Sequence, residues 1–478
     1  MSVPSAPKLD RGVLLTITAL IVGALAVIFD STIISLALHS LATTFGVGVS
    51  TIQWVTTGYL LALAAAIPVV GWAQARFGGK RVWMIALTIF LLASIACSLA
   101  WSAPSLIAFR VVQGFGGGLM LPLMATLAVQ QLPGGRGLGT LMAAVSLPAA
   151  LGPILGPTIG GLILTWLDWP WLFWVNVPFC LVGLWLAHRF VPDDRPTGRP
   201  TLDWVGLLLV CPGLVGVLYG LSNITSDGGA TRVDVWAPVA AGLGLLAAFA
   251  VTQLRHPATG LVDLGLLRRP TLAASSVALF LSGTALYGSM LLLPLYFQVV
   301  RGSDALTAAL LLIPQGVGAL VSRTLVGRLT DSIGARTVAI AGFVLTGLAT
   351  IPFAVSGVAT DQWWLLVVLF VRGIGTGAVM IPVMSVAYVG LDKPQVPHAS
   401  IITRLFQQLG GAFGTAVLAV ILEGAATGAT TVSEYAAAFD VAFWWSVAFT
   451  LVAVVACAWL PGRVAPQPAS TPAGSASR

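Results

Sequence analysis

Apolar residues gather in long runs instead of alternating with polar ones, and fourteen of these runs reach the roughly 20 residues that a membrane-crossing helix needs. Short polar or Gly/Pro-bearing breaks separate them. The predicted helices 1 to 14 span 13–38, 51–74, 82–101, 104–130, 137–164, 170–188, 204–222, 235–254, 271–299, 305–326, 336–356, 362–390, 400–423 and 439–460. The first run follows Lys8 and Arg11, exceeds a signal-peptide core in length, carries Asp30 and lacks a small-residue cleavage site, which predicts an uncleaved helix.

Charge then orients the helices. With the N-terminus placed in the cytoplasm, only Arg232 and Arg301 among the loop bases fall outside, while Arg110, Arg323, Arg372 and Arg404 fall within helices. Both termini are then cytoplasmic, and 463–478 reads as a disordered tail. Trp101, Trp166, Trp169, Trp171, Trp236, Trp363 and Trp364 lie near predicted outer ends, where an amphipathic ring favours the interface. Composition agrees: 8% charged against 58% apolar, with a mean hydropathy of +0.97. Soluble domains run nearer about 25% charged, so soluble-enzyme, nucleic-acid-binding and disulfide-framework classes are excluded and the bilayer is the solvent. Cys97, Cys180, Cys211 and Cys457 have no metal-ligand spacing, and His39, His188, His256 and His398 lie at helix ends or loops. No metal, cofactor or nucleotide-binding loop is expected.

The chain also repeats itself. GWAQARFGGKR and GRLTDSIGAR match at Gly71 and Gly327, at Gly78 and Gly334, and at Lys80 and Arg336, each pair 256 residues apart. The duplication equates helices 1–6 with 9–14 and leaves helices 7 and 8 as an inserted pair. The expected organisation is a cytoplasmic N-terminus (1–12), a six-helix bundle (13–190), a linker with the inserted pair (191–265), a second six-helix bundle (266–462) and the tail. Parallel repeats with a site between them describe one common transporter architecture.

The motifs resemble the major facilitator superfamily, in particular its 14-helix drug/proton antiporter branch. FDSTIISLAL in helix 1, QWVTTGYLL in helix 2, RVVQGFGGG in helix 4, GPILGPTIGG in helix 5 and WPWLFWVNVP before helix 6 carry the likeness. The helix 5 segment fits the antiporter motif at Gly152, Gly156, Pro157, Gly160 and Gly161. Ala75 stands where the helix 2–3 loop usually has Asp, and Pro170 where Trp-Arg-Trp usually has Arg. The resemblance implies an all-α major facilitator fold in a bacterial cytoplasmic membrane, functional as a monomer, exporting amphipathic drugs or antibiotics against protons.

The residues support that expectation independently. Asp30 is the only carboxylate placed well inside a predicted helix, where an acid costs about 2.5 to 3.5 kcal/mol on insertion scales. At about 1.5 Å per residue, its depth lies within a few ångströms of Arg110, so the two can meet. Burial favours the neutral acid and a nearby guanidinium the carboxylate, so a movement that separates them moves a proton; a permanent ion pair that only fixes packing is the alternative. Gly152, Gly156 and Gly160 form a Cβ-free stripe with Pro157 as a bend, and Gly316 and Gly318 of helix 10 are its expected partner. Gly71, Arg76, Gly78, Lys80 and Arg81, with Gly327, Asp331, Gly334 and Arg336, form two expected gate loops, although positive-inside anchoring explains the bases as well. Tyr59, Gln113, Tyr287, Gln315, Arg372, Gln407 and Gln408 are candidate cavity residues, whereas Arg323 and Arg404 are expected to snorkel from helix ends. One deep carboxylate suits a neutral or singly cationic amphiphile. Import on the same fold, or a membrane-embedded enzyme or regulator, are the other readings.

Overall fold

In the computed structural model, residues 11–47, 49–131, 138–145, 152, 156, 159–160, 162–164, 166–194, 201–222, 232–255, 261–357 and 360–462 are described. Among them there are helices and no strands. The elements follow the predicted spans and take their numbers: α1 Arg11–Phe45; α2 Trp54–Ala66 and Val69–Phe77, with Val49–Ile52 leading in; α3 Gly79–Ser98; α4 Ala103–Gln130; α5, of which Leu138–Val145 is the continuous part; α6 Trp171–Trp174 and Asn176–Phe190; α7 Trp204–Ser222; α8 Val233–Arg255; α9 Pro270–Val299; α10 Ala305–Leu311 and Ile313–Ile333; α11 Ala335–Thr350; α12 Gln362–Ala387; α13 Val396–Ala425; α14 Val432–Cys457. Eleven of these helices are long and apolar enough to cross a membrane, and the bent α2 makes a twelfth. The other two are α5, described only in part, and α10, whose second half carries Arg323, Arg328 and Asp331.

Local chemistry explains where the boundaries shifted. At Pro68, α2 bends by 56°, because proline cannot donate to the preceding turn. A capping box, Thr431 with Glu434, starts α14 at Val432, earlier than the polar residues suggested. Asp440 therefore sits two turns inside α14, which corrects the expectation that Asp30 is the only carboxylate well inside a helix.

Packing repeats with the sequence. In the first half α1 packs on α6, α2 on α4, and α3 on α4 and α6; in the second α9 packs on α14, α10 on α12, and α11 on α12 and α14. Gly114 of α4 rests against the Tyr59 carbonyl of α2, and Gly373 of α12 against the Gln315 carbonyl of α10, so close that a Cβ has no room in either. Tyr59 and Gln315 are again 256 residues apart. The inserted α7 and α8 meet through Gly213, Gly216, Gly220 and Gly242, and α7 lies against α2, where Trp54 stacks on Tyr219 at 5.6 Å, and against α13.

The apolar core is divided unequally. Toward the end that carries the basic α2–α3 and α10–α11 turns, both halves share one core, from Leu20 and Leu123 to Phe343 and Ile401. Toward the opposite end each half has its own: Phe29 to Phe173 in the first, Leu292 to Phe443 in the second. The halves are thus closed on each other at the basic end. Large apolar side chains, Trp101 (77% exposed) and Trp363 (76%) among them, cover the outside, as a lipid-facing surface requires.

Candidate functional site

Asp30 and Arg110 meet inside the first half, both fully buried, with Arg110 Nη1 2.5 Å from Asp30 Oδ2. Three helices complete the cluster. Gln113 Nε2 and Asn176 Nδ2 donate to Asp30 Oδ1 at 3.0 and 2.9 Å, Arg110 Nη1 also donates to Gln113 Oε1 at 2.6 Å, and Arg110 Nε donates to the Val55 carbonyl at 3.1 Å. Ser94 Oγ accepts from Gln113 at 2.7 Å. The guanidinium lies 4.0 Å over the Tyr59 ring, whose hydroxyl donates to the Val27 carbonyl. The carboxylate therefore receives three hydrogen bonds, two of them from neutral amides. A charge so placed is stable only while these donors stay in reach.

The second half carries a copy without the acid. Arg372 of α12, also buried, donates from Nε to Thr350 Oγ1 at 3.0 Å, from Nη1 to Gln315 Oε1 at 3.2 Å, and from Nη2 to Ser289 Oγ. Gln315 stands at the Tyr59 position of the repeat and Thr350 at the Ser94 position, each displaced by 256, while Ser289 of α9 answers Asp30 of α1. The glycine contacts match Gly116 to Gly375 and Gly118 to Gly377, which puts Arg372 at the Gln113 position and Leu369 at the Arg110 position. The second half thus carries its buried arginine about one turn further along the helix and, among the described residues, no buried carboxylate beside it.

Of the residues expected to line a cavity, Tyr59 and Gln113 thus belong to the first polar cluster, and Gln315 and Arg372 to the second. Tyr287 donates to Gln408 Oε1 at 3.4 Å. Gln407 does line a cleft between the halves, with Ile28 of α1, Pro122 and Met124 of α4, Met142 of α5, Leu279 of α9, Met380 and Met384 of α12, and Arg404 of α13. The six contributing helices are three repeat-related pairs. Arg404 faces this cleft, where Nη1 donates to Gln407 Oε1 at 2.8 Å, instead of snorkelling. The sequence placed it one turn inside a helix that in fact begins at Val396, so it lies deeper than expected.

The two turns at the basic end share one backbone. Gly78 (φ +86°) and Gly334 (φ +99°) both occupy a region that L side chains rarely adopt. Lys80 pairs with Asp193 at 3.2 Å, and Asp194 accepts from the Gly79 and Lys80 amides at 2.5 and 3.1 Å, satisfying the first donors of α3. In the second half Arg336 Nε donates to the Leu460 carbonyl at 2.5 Å. Arg76, Arg81 and Asp331 are exposed, and Gly71 packs against Ile401 of α13. Asp194→Ala is expected to cost about 1 kcal/mol of stability, with Asp194→Asn retaining most of it, because an amide oxygen still accepts. Thermal unfolding in detergent checks this.

Gly152, Gly156 and Gly160 are helical and buried, whereas Pro157 and Gly161 lie outside the described residues. Gly318 packs on the Phe370 backbone of α12, and the described Leu138–Val145 part of α5 packs on α10, beside Leu320, Arg323 and Gly327. The expected contact of the glycine stripe with helix 10 falls on a stretch that lies mostly outside the described residues. Asn176, Ser94, Asp193 and Asp194 were not singled out from sequence. Asn176 was visible within WPWLFWVNVP, and the two aspartates within the polar stretch after helix 6, but only contact gives them partners.

Two repeat-related helical bundles with a polar cluster in each and a cleft between them define a membrane transporter. The sequence matches the Major Facilitator Superfamily over residues 20–415, and the chain belongs to that family. It is 35% identical over 417 residues to the multidrug resistance protein B homolog of Mycobacterium tuberculosis, covering 87% of this chain and 77% of that protein. Over 396 residues it is 29% identical to the lincomycin resistance protein LmrB of Listeria innocua, covering 83% of each. The fold overlays the human organic anion transporter MFSD10 with a TM-score of 0.65 at 15% identity, over 94% of this chain and all of that one. It overlays the proton:xylose symporter XylE with a TM-score of 0.64 at 14% identity, over 93% and 94%.

Proposed function

We propose that the protein is a secondary active exporter that couples inward proton movement to efflux of small amphipathic molecules by alternating access, with Asp30 as the coupling carboxylate. The observation that carries the reading is Asp30 itself, the one fully buried carboxylate among the described residues, held by a guanidinium. The relatives named for drug and lincomycin resistance support export over import. With the basic turns in the cytoplasm of a bacterial cell, the halves are closed toward the cytoplasm. Asp30, held by Arg110 in this conformation, is the site that accepts a proton from outside. Protonation removes its attraction for Arg110, loosens α1 from α4, and favours reopening at the basic end, where the proton leaves. Residues 13–190 and 266–462 act as the two moving bundles, with 191–265 joining them, and one chain contains a complete transport path. Each net charge moved gains about 2.3 kcal/mol per 100 mV of membrane potential.

Proteoliposomes test the reading. An imposed proton gradient is expected to drive substrate uptake into inside-out vesicles, and an uncoupler to end it; uptake that persists without a gradient contradicts the coupling.

A further inference from the structure

The cleft between the halves is cationic. Arg404 is partly exposed within it, and the ionisable side chains beside it are the hydroxyls of Tyr287 on α9 and Tyr388 on α12. Among the described residues no carboxylate lines the cleft or pairs with Arg404. Asp30, the acid that a cationic substrate would need, is sealed inside the first half behind Arg110, Gln113 and Asn176. Of the five N–H donors on the Arg404 guanidinium, one goes to Gln407. The Gln407 amide is thereby oriented with its oxygen on Arg404 and its NH2 toward the Met380 sulfur at 3.7 Å, a weak acceptor. Tyr388 and Ser400 are engaged with each other at 3.1 Å, and Ser400 accepts from Thr126 across the two halves at 2.9 Å. What the cleft offers a ligand is therefore charged and neutral donors on one wall and adaptable apolar side chains on the others: Met124, Met142, Met380, Met384 and Leu121.

We propose that this cleft binds amphipathic organic anions, weak acids with an apolar body whose carboxylate or equivalent oxyanion is held by Arg404 and Gln407. This deepens the transport reading and rests on it only in taking the cleft as the substrate site. It reverses the neutral or singly cationic substrate expected from the sequence, because Arg404 lies in the cleft and Asp30 does not. Export of a monoanion in exchange for an incoming proton moves two charges per cycle in the direction that the membrane potential favours.

The test compares one apolar body with three head groups. Naphthoate, naphthamide and naphthylmethylammonium are titrated by equilibrium dialysis against the purified full chain in lipid nanodiscs at neutral pH. Naphthoate is expected to bind about tenfold or more tighter than the other two. Arg404→Gln is expected to remove that preference while naphthamide binding stays within about twofold, and Arg404→Lys to keep part of it. Should Arg404→Gln fail to fold, Met384→Glu is expected to turn the order toward the ammonium compound. Equal binding of all three compounds, binding of none, a preference that survives Arg404→Gln, or an order unmoved by Met384→Glu overturns the proposal. Binding requires no gradient, so loss of the head-group preference leaves proton coupling through Asp30 standing, and loss of coupling leaves the preference standing.

Discussion

Asp30→Asn is expected to abolish proton-driven export while the protein still folds and inserts. Asparagine has the volume of aspartate and keeps one oxygen for Gln113 and Asn176, and Arg110 keeps the Val55 carbonyl, Gln113 Oε1 and the Tyr59 ring. What it lacks is a titrating site. Breaking a buried pair by removing one partner typically costs about 3 to 5 kcal/mol, and these remaining contacts offset part of that. The expected result is a monodisperse, thermally weakened protein whose gradient-driven uptake falls to background. Arg110→Leu is the harsher change, since it strands the carboxylate itself, and low yield is expected from it. An Asp30→Asn protein that still accumulates substrate with the proton gradient makes the pair structural only.

Gly114→Leu and Gly373→Leu are expected to have comparably large effects, exerted first on folding. Each glycine meets a carbonyl of the neighbouring helix so closely that even a Cβ forces the helices apart. Overpacking of this kind costs typically about 1 to 3 kcal/mol, and more where backbone opposes the added atoms. In the first half the displacement also moves α2, which carries the Val55 carbonyl and the Tyr59 ring that hold Arg110. Size-exclusion profiles and unfolding temperatures measure the outcome. Gly424, which a Cβ leaves uncontacted, is the control: Gly424→Leu should unfold with the parent, and equal losses at all three positions would deny the close-packing account.

Much of this arrangement was legible in the sequence. The apolar runs located most helices to within a few residues, and the similar depths of Asp30 and Arg110 allowed the meeting that the structure shows. The 256-residue offset read from Gly78 and Gly334 proved to run through Tyr59 and Gln315 and through Ser94 and Thr350, a correspondence hidden because neither pair shares a residue type. Other features depend on contacts that no one-dimensional pattern encodes. Asn176 reaches Asp30 only because α6 packs on α1; Asp194 meets α3 only because the linker folds back. Arg404 and Asp440 were misplaced for a simpler reason: caps and polar first turns extend α13 and α14 beyond their apolar runs, so charges that seemed terminal lie within the helix.

Proton release on substrate binding is the most direct measure of the central claim. With purified protein in weakly buffered solution, a saturating substrate is expected to displace about one proton per chain from the wild type and none from Asp30→Asn. Equal release from both proteins would contradict Asp30 as the coupling site.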